Sequence, residues 1–361
     1  MDWEFQLPTK IIFGKGSLSR VWESVDRKHV LLVTGKGGFR EQFIGRIKKQ
    51  LSNVKLSVYD NVEPNPTCQN VDGGVEVIEK EGCEFVMALG GGSVIDAAKL
   101  MASIAVNKGN AYEYAFGKKK IEKKGLPLVA IPTTAGTGSE VTPFAVISDK
   151  EKKLKAPIRN KQLFPKVAIV DPELTASMPA GLTANTGADA LSHALEALWS
   201  KKAQPITDYL AMRAAKLIFD NLKKACQEPE NMDAREEMSL ASLLGGMAIS
   251  NAWTGPSHAI SYPLTVYFGA AHGNACSITL PEVMEFNALR SEKINRITQI
   301  YGPEKMRELF KEVGLRIRLS EFGVKKEDIP LILDGVVVST LETNMVEMKK
   351  EDIAEILNKI L

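Results

Sequence analysis

From His29 to Val170, short apolar runs alternate with longer stretches that place an apolar residue every three or four positions. The runs are His29–Thr34, Val54–Tyr59, Phe85–Leu89, Pro127–Ile131 and Val167–Val170, each rich in aliphatic residues and several ending at Gly, Asp or Asn. Between them, Gln42–Leu51, Val71–Glu81 and Val94–Val106 carry the helical period. Strand–helix alternation with short apolar strands predicts a parallel sheet covered on both faces. The pattern changes near Met178-Pro179. From Leu182 onward β-branched runs are few, and amphipathic stretches dominate at Ala184–Trp199, Ile206–Ala225, Ala234–Ala252, Glu304–Val313 and Lys350–Ile360. Pro205, Pro229, Pro256, Pro263 and Pro281 read as punctuation between helices. The chain thus divides into an α/β domain over residues 1–179 and an all-helical domain over 180–361.

Composition narrows the class without naming a chemistry. With 361 residues, 44% of them hydrophobic and 25% charged, the chain suits two globular domains. A formal net charge of +2 argues against nucleic acid or an anionic membrane as partner. The lysine clusters Lys118–Lys120 and Lys152–Lys155 read as solvated loops. Met1–Lys10 lacks the charged and apolar regions of a secretory signal, and no apolar run spans a bilayer. The cysteines Cys68, Cys83, Cys226 and Cys276 have no paired spacing, so a reduced, cytoplasmic protein is expected.

Gly90-Gly91-Gly92-Ser93 joins the strand Phe85–Leu89 to the helix Val94–Val106. In that setting backbone N–H groups approach a diphosphate and the helix N-terminus adds positive potential, with Ser93 as N-cap and further donor. The spacing is neither G-x-G-x-x-G nor a P-loop, and a tight turn needing glycine dihedrals is the weaker alternative. A second segment, Ile131–Thr142, brings threonines, a serine and glycines after another apolar strand, a surface suited to ribose and phosphate.

The chain has four histidines, and three of them, His193, His258 and His272, lie in the helical half. Asp189 and His193 stand four apart in a helical stretch and so share one face. One carboxylate and three imidazoles suit Fe(II) or Zn(II), although a helical Asp-His pair also occurs as a plain surface pair. Cys276 is four residues beyond His272 and within reach of ligation, but its apolar run Ala275–Leu280 reads as core. Trp253, Tyr262 and Phe268 are candidates for a substrate pocket or for the core.

Taken together, these segments resemble the iron-containing (group III) alcohol dehydrogenases. Gly90–Lys99, Ile131–Thr142, Asp171–Leu174, Met178-Pro179, Thr186–His193, Ser257–Ala259 and Ala271–Gly273 match that family's signatures in the family's order, over nearly the whole chain. The resemblance implies a Rossmann-like parallel sheet followed by a helical domain, the two-domain architecture shared with dehydroquinate synthase. It implies hydride transfer between a small alcohol or aldehyde, held at a divalent metal, and a nicotinamide cofactor. The metal, Fe(II) or Zn(II), would be held by Asp189, His193, His258 and His272, and Gly91, Gly92 and Ser93 would take the diphosphate. Asn65, Asp96, Thr133, Thr134, Thr142 and Lys155 match cofactor-side positions. Gly35 and Lys36 stand where NAD-preferring members carry an acid, with Gly37 and Gly38 following, so NADP(H) is expected over NAD(H). Tyr262, four residues after His258, stands where many members carry a histidine often viewed as a proton relay; as a catalytic candidate it replaces that histidine through its hydroxyl or only shapes the pocket. The alternatives are a glycerol-dehydrogenase-like or dehydroquinate-synthase-like enzyme, and a non-catalytic nucleotide-binding scaffold. An edge strand near Ile11–Phe13 could pair across a homodimer.

Overall fold

The computed structural model describes residues 2–36, 40–149, 152 and 154–361, with the backbone alone of Arg40. Two compact units emerge from the contacts. One comprises Leu7–Thr134 and Ser139–Ser177; the other comprises Met178–Leu361, the chain up to Gln6, and the four residues Ala135–Gly138.

The first unit contains β1 (Lys10–Phe13), β2 (His29–Gly35), α1 (Arg40–Gln50), β3 (Lys55–Val62), α2 (Cys68–Glu81), β4 (Phe85–Gly90), α3 (Gly92–Asn107), α4 (Ala111–Ala115), β5 (Leu128–Pro132), β6 (Phe144–Asp149), β7 (Leu154–Arg159) and β8 (Val167–Val170). Six strands form one parallel sheet in the order β1-β8-β5-β4-β2-β3. Alternate residues of each strand face opposite layers. Leu31 and Val33 of β2 join Val86 and Ala88 of β4 against α2 and α3, whereas Val30, Leu32, Phe85 and Met87 face α1 and the 3-10 turn Ser17–Ser24. Both faces of the central strands β2, β4, β5 and β8 are therefore dry, which is why those strands read as continuous apolar runs, whereas the edge strands β1 and β3 are partly exposed. The chain steps outward from β2 to β3 on one side and from β4 to β5 on the other, so the carboxyl ends of β2 and β4 flank the point where the winding reverses.

The antiparallel hairpin β6–β7 departs from the sequence reading, which took Lys152–Lys155 as loop. Lys155 lies on β7 opposite Ser148, while Lys153, Gly37 and Gly38 lie outside the described residues. The hairpin forms because Ala145, Ile147 and Ala156 are buried against the α2–α3 layer.

The second unit contains α5 (Ala180–Leu198), α6 (Pro205–Gln227), α7 (Met232–Ala252), α8 (Pro256–Phe268), α9 (His272–Ser277), α10 (Leu280–Ala288), α11 (Glu292–Tyr301), α12 (Pro303–Glu312), α13 (Ile329–Asp334), α14 (Val338–Leu341) and α15 (Lys350–Lys359). Pro205, Pro256 and Pro281 sit in first turns, where their missing N–H costs nothing. Pro263 does not break the chain as expected: it lies inside α8. The carbonyl it leaves without an intrahelical donor is that of Ala259, and the Val337 N–H donates to it at 3.5 Å.

Candidate active site

At the end of β4 the chain turns directly into α3, whose N-cap is Gly91. The helix starts earlier than the sequence suggested, so Ser93 lies within its first turn rather than at the cap. The first turn closes with Val94 N–H donating to Gly91 O at 3.0 Å, so the N–H groups of Gly92 and Ser93 precede it. Ser93 Oγ accepts the Asn65 N–H at 3.2 Å, and Asn65 holds a left-handed φ of 55°. A side chain at Gly91 would stand 3.2 Å from Thr134 Oγ1, and Thr133 N–H donates to Gly90 O at 3.0 Å. Gly35, at the end of β2, would place a Cβ 3.6 Å from Val94 in the same first turn, and Lys36 beyond it is exposed. Asn65, Gly91–Ser93, Thr133, Thr134 and Gly35 are thus gathered at the winding reversal.

Two cofactor-side candidates face inward instead. Asp96 Oδ1 accepts from Ser139 Oγ at 2.5 Å and Oδ2 from Val146 N–H at 2.9 Å. Thr142 Oγ1 accepts from the ammonium of buried Lys99 at 3.2 Å, which also donates to Ser139 Oγ at 2.8 Å and Phe144 O at 2.7 Å. Burial pushes Lys99 down to about 8 and the neighbouring Glu140 carboxyl up to about 7. This polar cluster clamps α3 to the chain entering β6. The glycines of the 131–142 segment also serve packing: Gly138, at φ +60°, lies where a Cβ would stand 2.5 Å from Gly246 Cα of α7.

In the helical unit Asp189 and His193 share one face of α5, as their spacing requires. Asp189 Oδ1 lies 3.8 Å from His193 Nε2, 3.7 Å from His258 Nε2 and 3.7 Å from His272 Nε2. His193 stacks on His258 with ring centroids 4.7 Å apart. His272 opens α9, which approaches α5 so closely that a Cβ on Gly273 would lie 1.8 Å from Asn185 O, one turn before Asp189. Only glycine permits that approach, and Asn274 N–H donates to Asn185 Oδ1 at 3.2 Å beside it. Tyr262 is buried and stacks on His272 at 6.4 Å, while Trp253 and Phe268 are partly buried.

Glu196, which the sequence reading passed over, completes the arrangement. It is fully buried, seven residues after Asp189 on the same helix. Its carboxylate accepts N–H bonds from Gly255 at 2.8 Å, Ser257 at 2.6 Å and His258 at 3.3 Å, so it caps the start of α8 with a negative charge. It also meets His258 Nδ1 at 2.5 Å, which fixes that ring with Nε2 toward Asp189.

The electrostatics fit a cation. Burial works against charge on Asp189, yet His193, His272 and His258 outweigh it and hold the carboxyl far below its ordinary range. Burial keeps His193 below its ordinary value, in the neutral form that ligates metals. Asp189 Oδ1 and His258 Nε2 are both buried without a hydrogen-bond partner, 3.7 Å apart. With the His258 proton on Nδ1, donated to Glu196, both atoms are acceptors, and two buried acceptors facing each other would cost several kcal/mol, on the order of 1–3 each. A divalent ion bonded to both removes that cost, and the carboxylate–imidazole donor set suits iron or zinc.

Comparison with known proteins agrees. Residues 8–172 match the family model for iron-containing alcohol dehydrogenase, and residues 183–361 match the model for the C-terminal part of the Fe-containing alcohol dehydrogenase family. The chain belongs to the iron-containing alcohol dehydrogenase family. It is 36% identical to alcohol dehydrogenase 4 of Schizosaccharomyces pombe, covering 91% of this chain and 82% of that one. To the NAD-dependent methanol dehydrogenase of Bacillus methanolicus it is 34% identical over 99% of both chains. The crystal structure of sulfoacetaldehyde reductase from Bifidobacterium kashiwanohense in complex with NAD+ superposes with a TM-score of 0.91, at 34% identity over 100% of this chain and 99% of that one. The chain is accordingly an oxidoreductase acting on the CH–OH group, with a divalent metal and a nicotinamide cofactor implied by its family. Among the described residues no helix is long and apolar enough to cross a membrane.

Proposed function

We propose that this alcohol dehydrogenase holds its metal through Asp189, His193, His258 and His272 and reduces small aldehydes with NADPH in preference to NADH. The observation that carries the metal assignment is the pair of orphaned buried atoms, Asp189 Oδ1 and His258 Nε2, met by two further imidazoles. The metal supplies Lewis acidity toward the substrate oxygen and the nicotinamide carries the hydride. The chain's own residues position both. Asp189 neutralises one of the ion's charges, and Glu196 holds His258 in the tautomer that leaves Nε2 for ligation. Tyr262, buried beside His272, stands in for the relay histidine, either through its hydroxyl or by shaping the pocket. Gly91, Gly92 and Ser93 offer N–H groups and a helix N-terminus to the diphosphate. Asn65, Thr133 and Thr134 surround that turn, Asp96 and Thr142 back it through the cluster around Ser139 and Lys99, and Lys155 on β7 is the lysine that would contact the nucleotide.

The preference for NADPH rests on Gly35. An acid at the end of β2 would bond the ribose 2′-hydroxyl and repel a 2′-phosphate, and here glycine and exposed Lys36 replace it. The NAD-dependent name of the Bacillus relative belongs to that protein. We also infer a homodimer paired along β1, which has a sheet neighbour on one side only, and a cytoplasmic location consistent with four unpaired cysteines. A monomer mass in light scattering would refute the dimer.

The deciding experiment is anaerobic oxidation of NADPH with a panel of small aldehydes, comparing Fe(II)-loaded with chelator-stripped protein. Turnover only in the loaded protein, faster with NADPH than with NADH, is expected. Equal turnover after verified metal removal would overturn the metal assignment, and faster turnover with NADH would overturn the Gly35 argument.

A further inference from the structure

Between α7 and α8 the chain turns through a backbone conformation that a bulky side chain rarely adopts. Trp253 follows α7 at φ 71° and ψ 173°, a region occupied almost only by glycine. An unrestrained tryptophan would relax to negative φ and carry the next residues away. Hydrogen bonds on either side prevent this. Ser200 Oγ donates to Ala252 O, and Trp253 N–H donates to Ile249 O at 2.8 Å. Thr343 Oγ1 donates to Thr254 O at 2.5 Å, and Gly255 N–H donates to Glu196 Oε2 at 2.8 Å. The indole is partly buried, and the Lys202 ammonium lies 3.4 Å from its ring centroid. Glycine would take this backbone without strain, so the side chain contributes a contact that glycine lacks, the cation–π pair with Lys202. Glu196, Ser200 and Lys202 all belong to the C-terminal end of α5 or the residues just beyond it, so the turn is fastened to the helix that carries Asp189 and His193.

We propose that Trp253 is a positioning residue for the metal site: held by Lys202, it locks the α7–α8 turn so that the N–H groups of Gly255, Ser257 and His258 stay on Glu196. The effect passes through the backbone. Gly255 follows Trp253 by two residues and bonds the same carboxylate oxygen, Glu196 Oε2, that meets His258 Nδ1 and leaves Nε2 toward Asp189. Without the indole, position 253 gains conformations that draw the Gly255 N–H off Oε2. Glu196 and the His258 ring then lose their fixed relation, and the ion is held less tightly. This last step rests on reading Asp189, His193, His258 and His272 as metal ligands; the lock itself does not, and the experiment separates them.

Metal-stripped full-length protein is compared by amide hydrogen exchange as wild type, Trp253→Gly, Trp253→Phe and Lys202→Met. Trp253→Gly is expected to speed exchange at Gly255, Ser257 and His258 by about tenfold or more, with α6 unchanged. Lys202→Met, which keeps the stem and loses the cation, should speed it by about two- to fivefold. Trp253→Phe keeps a ring for Lys202 and should stay near wild type. Competition for Zn(II) against a chromophoric chelator then reads metal affinity, expected to fall by about tenfold in Trp253→Gly and to recover in Trp253→Phe. Unchanged exchange at these amides in Trp253→Gly overturns the lock. Faster exchange with unchanged Zn(II) affinity overturns the positioning role. Wild type that binds no Zn(II) overturns the ligand reading, and the exchange comparison still decides the lock. Where Trp253→Gly does not fold, Lys202→Met decides it: exchange no faster than in wild type overturns the proposal.

Discussion

Replacing Glu196 with glutamine separates what this carboxylate does for the fold from what it does for the metal. Its Oε1 accepts from Ser257 N–H at 2.6 Å and His258 N–H at 3.3 Å, and its Oε2 accepts from Gly255 N–H at 2.8 Å and meets His258 Nδ1 at 2.5 Å. A glutamine keeps one oxygen, so its NH2 group must face donors on one side. If the amide nitrogen takes the Oε1 position, two buried N–H groups of α8 lose their acceptor. If it takes the Oε2 position, the Gly255 N–H is orphaned and His258 Nδ1 becomes an acceptor, which places the ring proton on Nε2, the atom facing Asp189. Either arrangement also removes the negative charge from the start of α8. One or two lost buried bonds at about 1–3 kcal/mol each, with the helix-end charge, predict a metal-free chain less stable by about 2–4 kcal/mol. Loss of the ring's anchor predicts metal affinity lower by about 10- to 100-fold. Urea denaturation of the stripped protein reads the first quantity, and competition against a chromophoric chelator reads the second. NADPH binding to the glycine turn should be unchanged, since that turn belongs to the other unit. Unaltered metal affinity in Glu196→Gln would refute the reasoning, because it would mean that His258 keeps its tautomer without the carboxylate.

Two further outcomes follow from the first unit. Gly35→Asp places a carboxylate at the end of β2 with its Cβ 3.2 Å from Val62 O, and NADPH should lose about tenfold or more in affinity relative to NADH; an unchanged ratio in fluorescence titration would place the 2′-phosphate elsewhere. Glu140, buried and pushed up to about 7 from an ordinary 4.5, contributes stability that is complete below about pH 4.5 and is lost as pH rises through about 7. The loss amounts to about 3 kcal/mol at about 1.4 kcal/mol per pH unit, and Glu140→Gln should flatten that decline between about pH 5 and 7.5. Parallel pH profiles of wild type and variant would show that the carboxylate is not the titrating group.

Much of this architecture was legible in the sequence because burial on both sheet faces leaves a simple trace. The run Val167–Val170 is predicted and observed with the same bounds, since a strand dry on both faces has no polar residues to blur its ends. The hairpin β6–β7 was hidden for the opposite reason. Its turn region is lysine-rich, and the burial that stabilises it comes from three scattered residues, Ala145, Ile147 and Ala156. Pro263 misled because the usual rule assumes that the freed carbonyl has no other donor, whereas Val337, 74 positions further along, supplies one.

The site divides along the same line. Asp189 and His193 could be paired by spacing, because both ride one helix, and the remaining histidines could be counted as candidates. Glu196 could not be found by pairing, since its partners are backbone groups 59 to 62 residues away at the start of another helix. Yet a local signal was present. Asp189, His193 and Glu196 stand at i, i+4 and i+7, the stripe a helix turns toward its core, and the intervening residues are nearly all apolar. An acid that far inside an apolar stripe must meet donors strong enough to offset its burial. A helix start supplies N–H groups in the geometry a carboxylate accepts, and Gly255-Pro256 at the head of α8 is such a start.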